Sequence, residues 1–149
     1  MADWQQRHKV VPAVYIVLRQ NGKILVAQRA NTGYMDGYYS LPSGHLDGGE
    51  PATVAACREA LEEVAVRIKP EDLQFAHVSH RLAMEGDHER IDFYFTVTKW
   101  EGEPKNNEPH KCSEIRWVAP DDLPEPMAPE VAHAVACIEN SQSFSEYGF

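Results

Sequence analysis

Val10 to Leu18 and Ile24 to Arg29 are apolar, β-branched runs separated by Gln20-Asn21-Gly22-Lys23. Asn-Gly between two such runs is the strongest short-range hairpin signal, because both residues accept the positive φ of a tight turn. The chain is thus predicted to open with a β-hairpin. Asn31 to Gly37 carries Gly, Asn and Asp and reads as a loop. Tyr38 to Pro42 reads as a short strand and Ser43 to Gly49 as a glycine-rich turn. The period then changes. Pro51 fits the first position of a helix, and Ala52 to Val66 contains neither Gly nor Pro. Val54, Cys57, Leu61 and Val64 recur at steps of three and four, which predicts a buried stripe. At about 100° per residue, Glu59, Glu62 and Glu63 fall on the side away from that stripe.

Strands are predicted again over Phe75 to Met84 and Arg90 to Trp100. In the second, Ile91, Phe93, Phe95 and Val97 alternate with Asp92, Tyr94, Thr96 and Thr98, the pattern of a half-buried strand. Glu101 to Lys111 is polar and reads as a loop, Ile115 to Ala119 as a last short strand, and Asp121 to Pro129 as a Pro-rich turn. Val131, Val135 and Ile138 mark a C-terminal helix opened by Pro129. Hairpins interleaved with two helices predict an α/β fold, a mixed sheet with helices on its faces. With no repeat or linker in the pattern, residues 1–149 are expected to form one domain.

Composition narrows the function. With 43% hydrophobic and 25% charged residues the chain has the make-up of an ordinary folded protein. No apolar run approaches the ~18 residues of a membrane span, and Met1 to His8 lacks the apolar stretch of a secretion signal. A cytoplasmic protein without membrane contact is expected. Cys57, Cys112 and Cys137 form no C-x-x-C pair, which argues against a disulfide framework or a zinc-thiolate site. Cys57 and Cys137 fit as core fillers. The net charge of −9 disfavours duplex nucleic acid as a partner. It leaves room for a small phosphorylated ligand held through divalent cations.

Glu59, Glu62 and Glu63 stand three and four apart on the predicted helix, so their carboxylates can approach one small volume. Clustered oxygen ligands without His or Cys suit Mg²⁺, with Mn²⁺ as a substitute. An E-x-x-E-E run by itself is commonly a solvated helix face. A solvated face, however, explains neither Gly44 nor Glu50 outside the helix.

Gly44, Glu50, Arg58, Glu59, Glu62 and Glu63 stand at the spacing G-x5-E-x7-R-E-x-x-E-E. The stretch resembles the Nudix box, the signature of the Nudix hydrolase superfamily. Ala60 stands where the family prefers a larger aliphatic residue, and Ala65 replaces its usual glycine near the helix end. The resemblance implies the Nudix fold, a mixed β-sheet sandwiched between helices (α/β/α). It also implies a loop and helix that bind metal and a diphosphate. By it, Glu59 and Glu63 hold Mg²⁺ with the Gly44 carbonyl, and Arg58 orients a carboxylate such as Glu50. Glu62 either joins the metal set or takes the proton of the attacking water.

Trp100-Glu101-Gly102-Glu103-Pro104, followed by Glu108, resembles the segment of MutT-type pyrophosphohydrolases that supplies a further metal ligand. That match assigns the ligand to Glu108. Glu103 to Cys112, Trp117-Val118 and Leu123-Pro124 are similar to the MutT homologue 2 type in particular. Arg29 is similar in position to a phosphate-contacting arginine of MutT-like enzymes, and His45, inside the glycine-rich turn, is a second candidate for substrate binding. His77, His80, His88, His110 and His133 show no ligand spacing, and Trp4, Tyr38 and Tyr39 are stacking or core residues.

The resemblance implies a Mg²⁺-dependent hydrolase, monomeric or homodimeric. It would cleave a nucleoside diphosphate linked to another moiety, foremost a (d)NTP to NMP and pyrophosphate. ADP-ribose, a dinucleoside polyphosphate or another nucleotide derivative are the alternative substrates. A non-catalytic nucleotide-binding module is the rival of another class, and the intact glutamate set speaks against it.

Overall fold

The computed structural model describes residues 3–82 and 88–149. The predicted hairpin forms, as β1 (Val11–Gln20) and β2 (Lys23–Arg29). Asn21 (φ 53°) and Gly22 (φ 75°) turn between them in the left-handed region that this residue pair favours. Tyr39–Ser40 (β3) and Ser43–His45 (β4) follow, then α1 (Ala52–Val64), β5 (Gln74–Arg81), β6 (Arg90–Val97), β7 (Cys112–Val118), α2 (Pro129–Glu139) and β8 (Phe144–Tyr147). Met84, the predicted end of the fifth strand, lies outside the described residues.

One mixed sheet runs in the order β3-β2-β1-β6-β5-β8, with β4 paired to β1 and β7 to β2. β1 and β6 pair in parallel along Val11–Leu18 and Arg90–Val97, whereas β1 and β2 meet only at Arg19–Ile24 and Gln20–Lys23. The other side of β1 is taken instead by β4, where Val14 pairs Gly44. The sheet therefore parts between β2 and β4, and the candidate site lies at that parting.

Each face of the sheet carries a core under one helix, giving the expected α/β/α sandwich. Val14, Ile16, Leu18, Phe95 and Val97 pack under α1, while Tyr15, Val17, Val26 and Tyr94 share a core with Val131 and Val135 of α2. Full burial of each such aliphatic side chain stabilises by roughly 1.5–3 kcal/mol.

Several expectations are corrected. Ser43–His45 is a strand, not part of a turn, because β1 offers it a free edge. Pro51 is the cap before α1 rather than its first residue. The buried stripe of α1 is Ala55, Ala56, Ala60 and Val64. Val54 and Leu61 are 42% and 37% exposed, and Cys57 is half-buried. Small residues let the helix lie close on the sheet, so the large ones are turned outward. The rotation has a consequence for the acidic residues. Glu59 keeps only 12% of its side chain exposed and Glu62 keeps 51%, so the glutamates do not share one solvent-facing side.

β6 is not half-buried, since β1 and β5 flank it and a helix layer covers each face. Asp92 is 1% exposed and accepts hydrogen bonds from Arg81 Nε (3.0 Å) and Arg90 Nε (3.2 Å). Removing the carboxylate would take this buried ion pair from both guanidinium groups, a loss of ~3–5 kcal/mol for such pairs. His77 is fully buried and satisfied by Gln142 O and Ser145 Oγ, both at 2.7 Å. β8 was not visible in the sequence pattern; it pairs in parallel with β5 from Val78–Phe144 to Arg81–Tyr147.

Candidate active site

An open cleft of about 510 Å³ lies where β2, β3, β4, α1 and the loop before β7 meet. Glu59, Glu62 and Glu63 reach it from α1, Arg29 from the end of β2, and Glu108 from the loop. Ser43 lines it just ahead of Gly44. Residues widely separated in sequence are thus brought together, and six of the expected site residues, Gly44 included, belong to one locality.

Glu59 fills the side-chain space of Gly44. A Cβ at position 44 would lie 2.1 Å from both Cδ and Oε1 of Glu59. The space that any other side chain would fill is occupied by the carboxylate. Glu63 is held from the same strand, since Ser43 N–H donates to its Oε2 at 3.1 Å. Burial pushes the Glu63 carboxyl up to about 8; the Ser43 bond and Arg29 oppose that rise, and the charges of Glu59 and Glu108 add to it. Burial also raises the Glu59 carboxyl, against the pull of Arg58.

Arg58 does not line the cleft. Its guanidinium donates to Glu50 through Nε (3.2 Å) and Nη2 (2.8 Å), and to Glu59 Oε1 through Nη1 (2.8 Å). Asp47 at 3.3 Å and Glu62 at 3.5 Å complete a ring of carboxylates around it. The bonds from Arg58, with the Asp47 N–H, hold Glu50 below the usual carboxylate range. Arg58 thus sets the position of Glu59 through fixed, forked hydrogen bonds. His45 is exposed and outside the cleft walls; its carbonyl accepts from Arg58 Nη2 at 3.4 Å.

Among the described residues no three Asp, Glu, His or Cys side chains are gathered closely enough to hold an ion as they stand. Arg58 draws Glu59 and Glu62 to itself, and the like charges of Glu59, Glu63 and Glu108 oppose a tighter cluster. The donor set nonetheless fits a hard divalent cation. It is all oxygen, Glu63 is a half-buried carboxyl that forms no ion pair among the described residues, and the Gly44 cradle seats the Glu59 carboxylate against β4.

Gln28, Asn31, Thr32, Ser40, Lys111 and Cys112 also line the cleft and were not anticipated. They enter through the pairing of β2 with β7, where Arg29 stands opposite Cys112, a contact between distant segments that no local pattern signals.

The NUDIX domain family model matches residues 8–136. The chain therefore belongs to the Nudix family, enzymes that hydrolyse diphosphate bonds. Within it the chain is MutT-like. It is 31% identical over 127 residues to the 8-oxo-dGTP diphosphatase of Escherichia coli (strain K12), covering 83% of this chain and 95% of that one. Over 61 residues it is 38% identical to the RNA pyrophosphohydrolase of Wolbachia sp. subsp. Brugia malayi (strain TRS), covering 40% of this chain and 36% of that one. A MutT NUDIX hydrolase from Burkholderia pseudomallei has the same fold, with a TM-score of 0.78, 25% identity and coverage of 87% of this chain and 98% of that one. Among the described residues no helix is long and apolar enough to cross a membrane.

Proposed function

We propose that the protein is a Mg²⁺-dependent pyrophosphohydrolase that cleaves a (d)NTP to NMP and pyrophosphate, with residues 1–149 as one Nudix domain. The observation that carries this reading is the seating of Glu59 against Gly44 beside the half-buried Glu63, in a cleft that also receives Glu108. The Gly44 carbonyl, Glu59, Glu63 and Glu108 would hold the metal. Bound there, Mg²⁺ supplies neutralising charge for the diphosphate and acidifies water. Arg58 keeps Glu59 in place through the 2.8 Å bond, anchored in turn on Glu50. Glu62, more exposed than Glu59 and lining the same cleft, either completes the metal set or takes the proton of the attacking water. Arg29 offers a fixed positive charge to the phosphates from the end of β2.

The expected partner is a small nucleotide, with no duplex nucleic acid and no membrane, and the expected setting is the cytoplasm, as monomer or homodimer. A substrate panel tests the reading. Ordinary (d)NTPs, 8-oxo-dGTP, ADP-ribose, a dinucleoside polyphosphate and a 5′-triphosphate RNA would be compared with Mg²⁺, Mn²⁺ and a chelator, with products identified. Fastest turnover of a nucleoside triphosphate, abolished by the chelator, is the expected result. A preference for ADP-ribose or a dinucleoside polyphosphate would replace the substrate assignment. Binding without turnover of any compound would make the protein a nucleotide-binding module.

A further inference from the structure

Lys111 lines a cleft that holds four carboxylates, yet its ammonium makes no ion pair or side-chain hydrogen bond among the described residues. Its main chain is fixed on both sides. Lys111 N–H donates to the Glu108 carbonyl and Ala30 N–H donates to the Lys111 carbonyl, each at 2.9 Å. Asn31 Nδ2 donates to the preceding carbonyl, that of His110, at 3.1 Å. These bonds root the lysine beside the end of β2, where Arg29 is the other cation lining the cleft.

The two cations are not equivalent. Arg29 is engaged by the protein: its Nε donates to Tyr34 O at 2.8 Å and its Nη2 to Thr32 Oγ1 at 3.1 Å, and its guanidinium lies 5.5 Å from the Tyr34 ring centre. Among the described residues Lys111 commits none of its three donors. An uncommitted ammonium among Glu59, Glu62, Glu63 and Glu108 would gain an ion pair if any carboxylate were within reach. Among the described residues no carboxylate lies within ion-pair distance of it, so the partner open to it is a ligand in the cleft. Among the described residues no aromatic ring lines this cleft, which makes its polar walls suited to phosphate rather than to a base.

We infer that Lys111 binds the non-bridging oxygens of the substrate's polyphosphate chain, beside Arg29, and thereby favours triphosphates over diphosphates. This rests on the proposed diphosphate hydrolysis. A triphosphate brings one further phosphate, with its negative charge, into a cleft whose carboxylates repel anions. The Lys111 ammonium offsets that additional charge as a point cation with three donors.

Lys111→Ala and Lys111→Arg test this, since neither alters the main-chain bonds at the position. Steady-state constants would be measured for an NTP and its NDP, and calorimetry would follow binding of imidodiphosphate with Mg²⁺. For Lys111→Ala the expected result is an NTP KM raised about ten- to hundredfold with kcat nearly kept. The NDP constants should change only a few-fold, and affinity for imidodiphosphate, which stands in for the two terminal phosphates of the NTP, should fall with the NTP effect. Lys111→Arg should restore most of both, and melting temperatures should be unchanged. Unaltered imidodiphosphate affinity in Lys111→Ala, or equal losses for NTP and NDP, would overturn the inference. If the parent protein turned over no nucleotide, the proposed function would fall, and the imidodiphosphate titration would still decide whether Lys111 binds phosphate.

Discussion

Gly44 and Glu59 occupy one another's space: a methyl group on residue 44 would lie 2.1 Å from the Glu59 carboxyl carbon. Gly44 needs no unusual backbone angle, since it is absent from the positive-φ glycines. Its role is room, not flexibility. Gly44→Ala should therefore displace the end of a flexible side chain while the sheet persists. A displacement of about 1 Å at a reacting centre lowers rates on the order of 10²-fold. Turnover and Mn²⁺ affinity should both fall that steeply while the melting temperature shifts little. Parent-like metal affinity in a folded Gly44→Ala protein would separate the glycine from the metal site.

Glu63 gives the metal-free protein a pH dependence. Its folded-state carboxyl is raised to about 8 by burial, above its ordinary value of 4.5. A raised group holds its proton in the folded state, so its stabilising effect is complete below the unfolded value. That effect is lost as pH rises through the folded one. In chelator, the parent should lose melting temperature between about pH 4.5 and 8 relative to Glu63→Gln, which has no proton to lose. Parallel melting curves for the two proteins over this window would refute it. Glu63→Gln should also be inactive with Mg²⁺.

Ala65 closes α1 with φ 61° and ψ 29°, its N–H donating to the Leu61 carbonyl. The helix thus ends in the geometry its glycine-bearing relatives would favour, and the alanine carries the strain of a Cβ in the left-handed region. Ala65→Gly should stabilise the protein by about 1 kcal/mol, raising the melting temperature by roughly 2–4 °C. Activity should stay within a few-fold of the parent. A lower melting temperature would show that the alanine methyl contributes packing that outweighs its strain.

The elements with strong local signals were legible in the sequence. Asn21-Gly22 marked the first hairpin, Pro129 the start of α2, and the Gly44-to-Glu63 spacing the strand, loop and helix that bear the site. The orientation of α1 was not. Size ranked Leu61 and Val54 as core, but close approach to the sheet selected Ala55, Ala56 and Ala60, which alternate with larger residues and leave a weak apolar period. Asp92 and Tyr94 looked like the wet face of a strand because their cover, α2, comes from about 35 to 47 residues downstream. Arg29 and Glu108 could be placed only by resemblance. Lys111 was missed, since its position beside Arg29 depends on the β2–β7 pairing.

The reaction class is defined by which bond is broken. The decisive measurement is hydrolysis of a nucleoside triphosphate with Mg²⁺ in ¹⁸O-water, followed by phosphorus NMR and mass analysis of both products. Equal amounts of NMP and pyrophosphate are predicted, with the label in pyrophosphate from attack at the β-phosphorus and no release by Glu63→Gln. Label in the NMP would move the attack to the α-phosphorus but keep the reaction class. Orthophosphate and NDP as the first products, released equally by the parent and Glu63→Gln, would contradict the account.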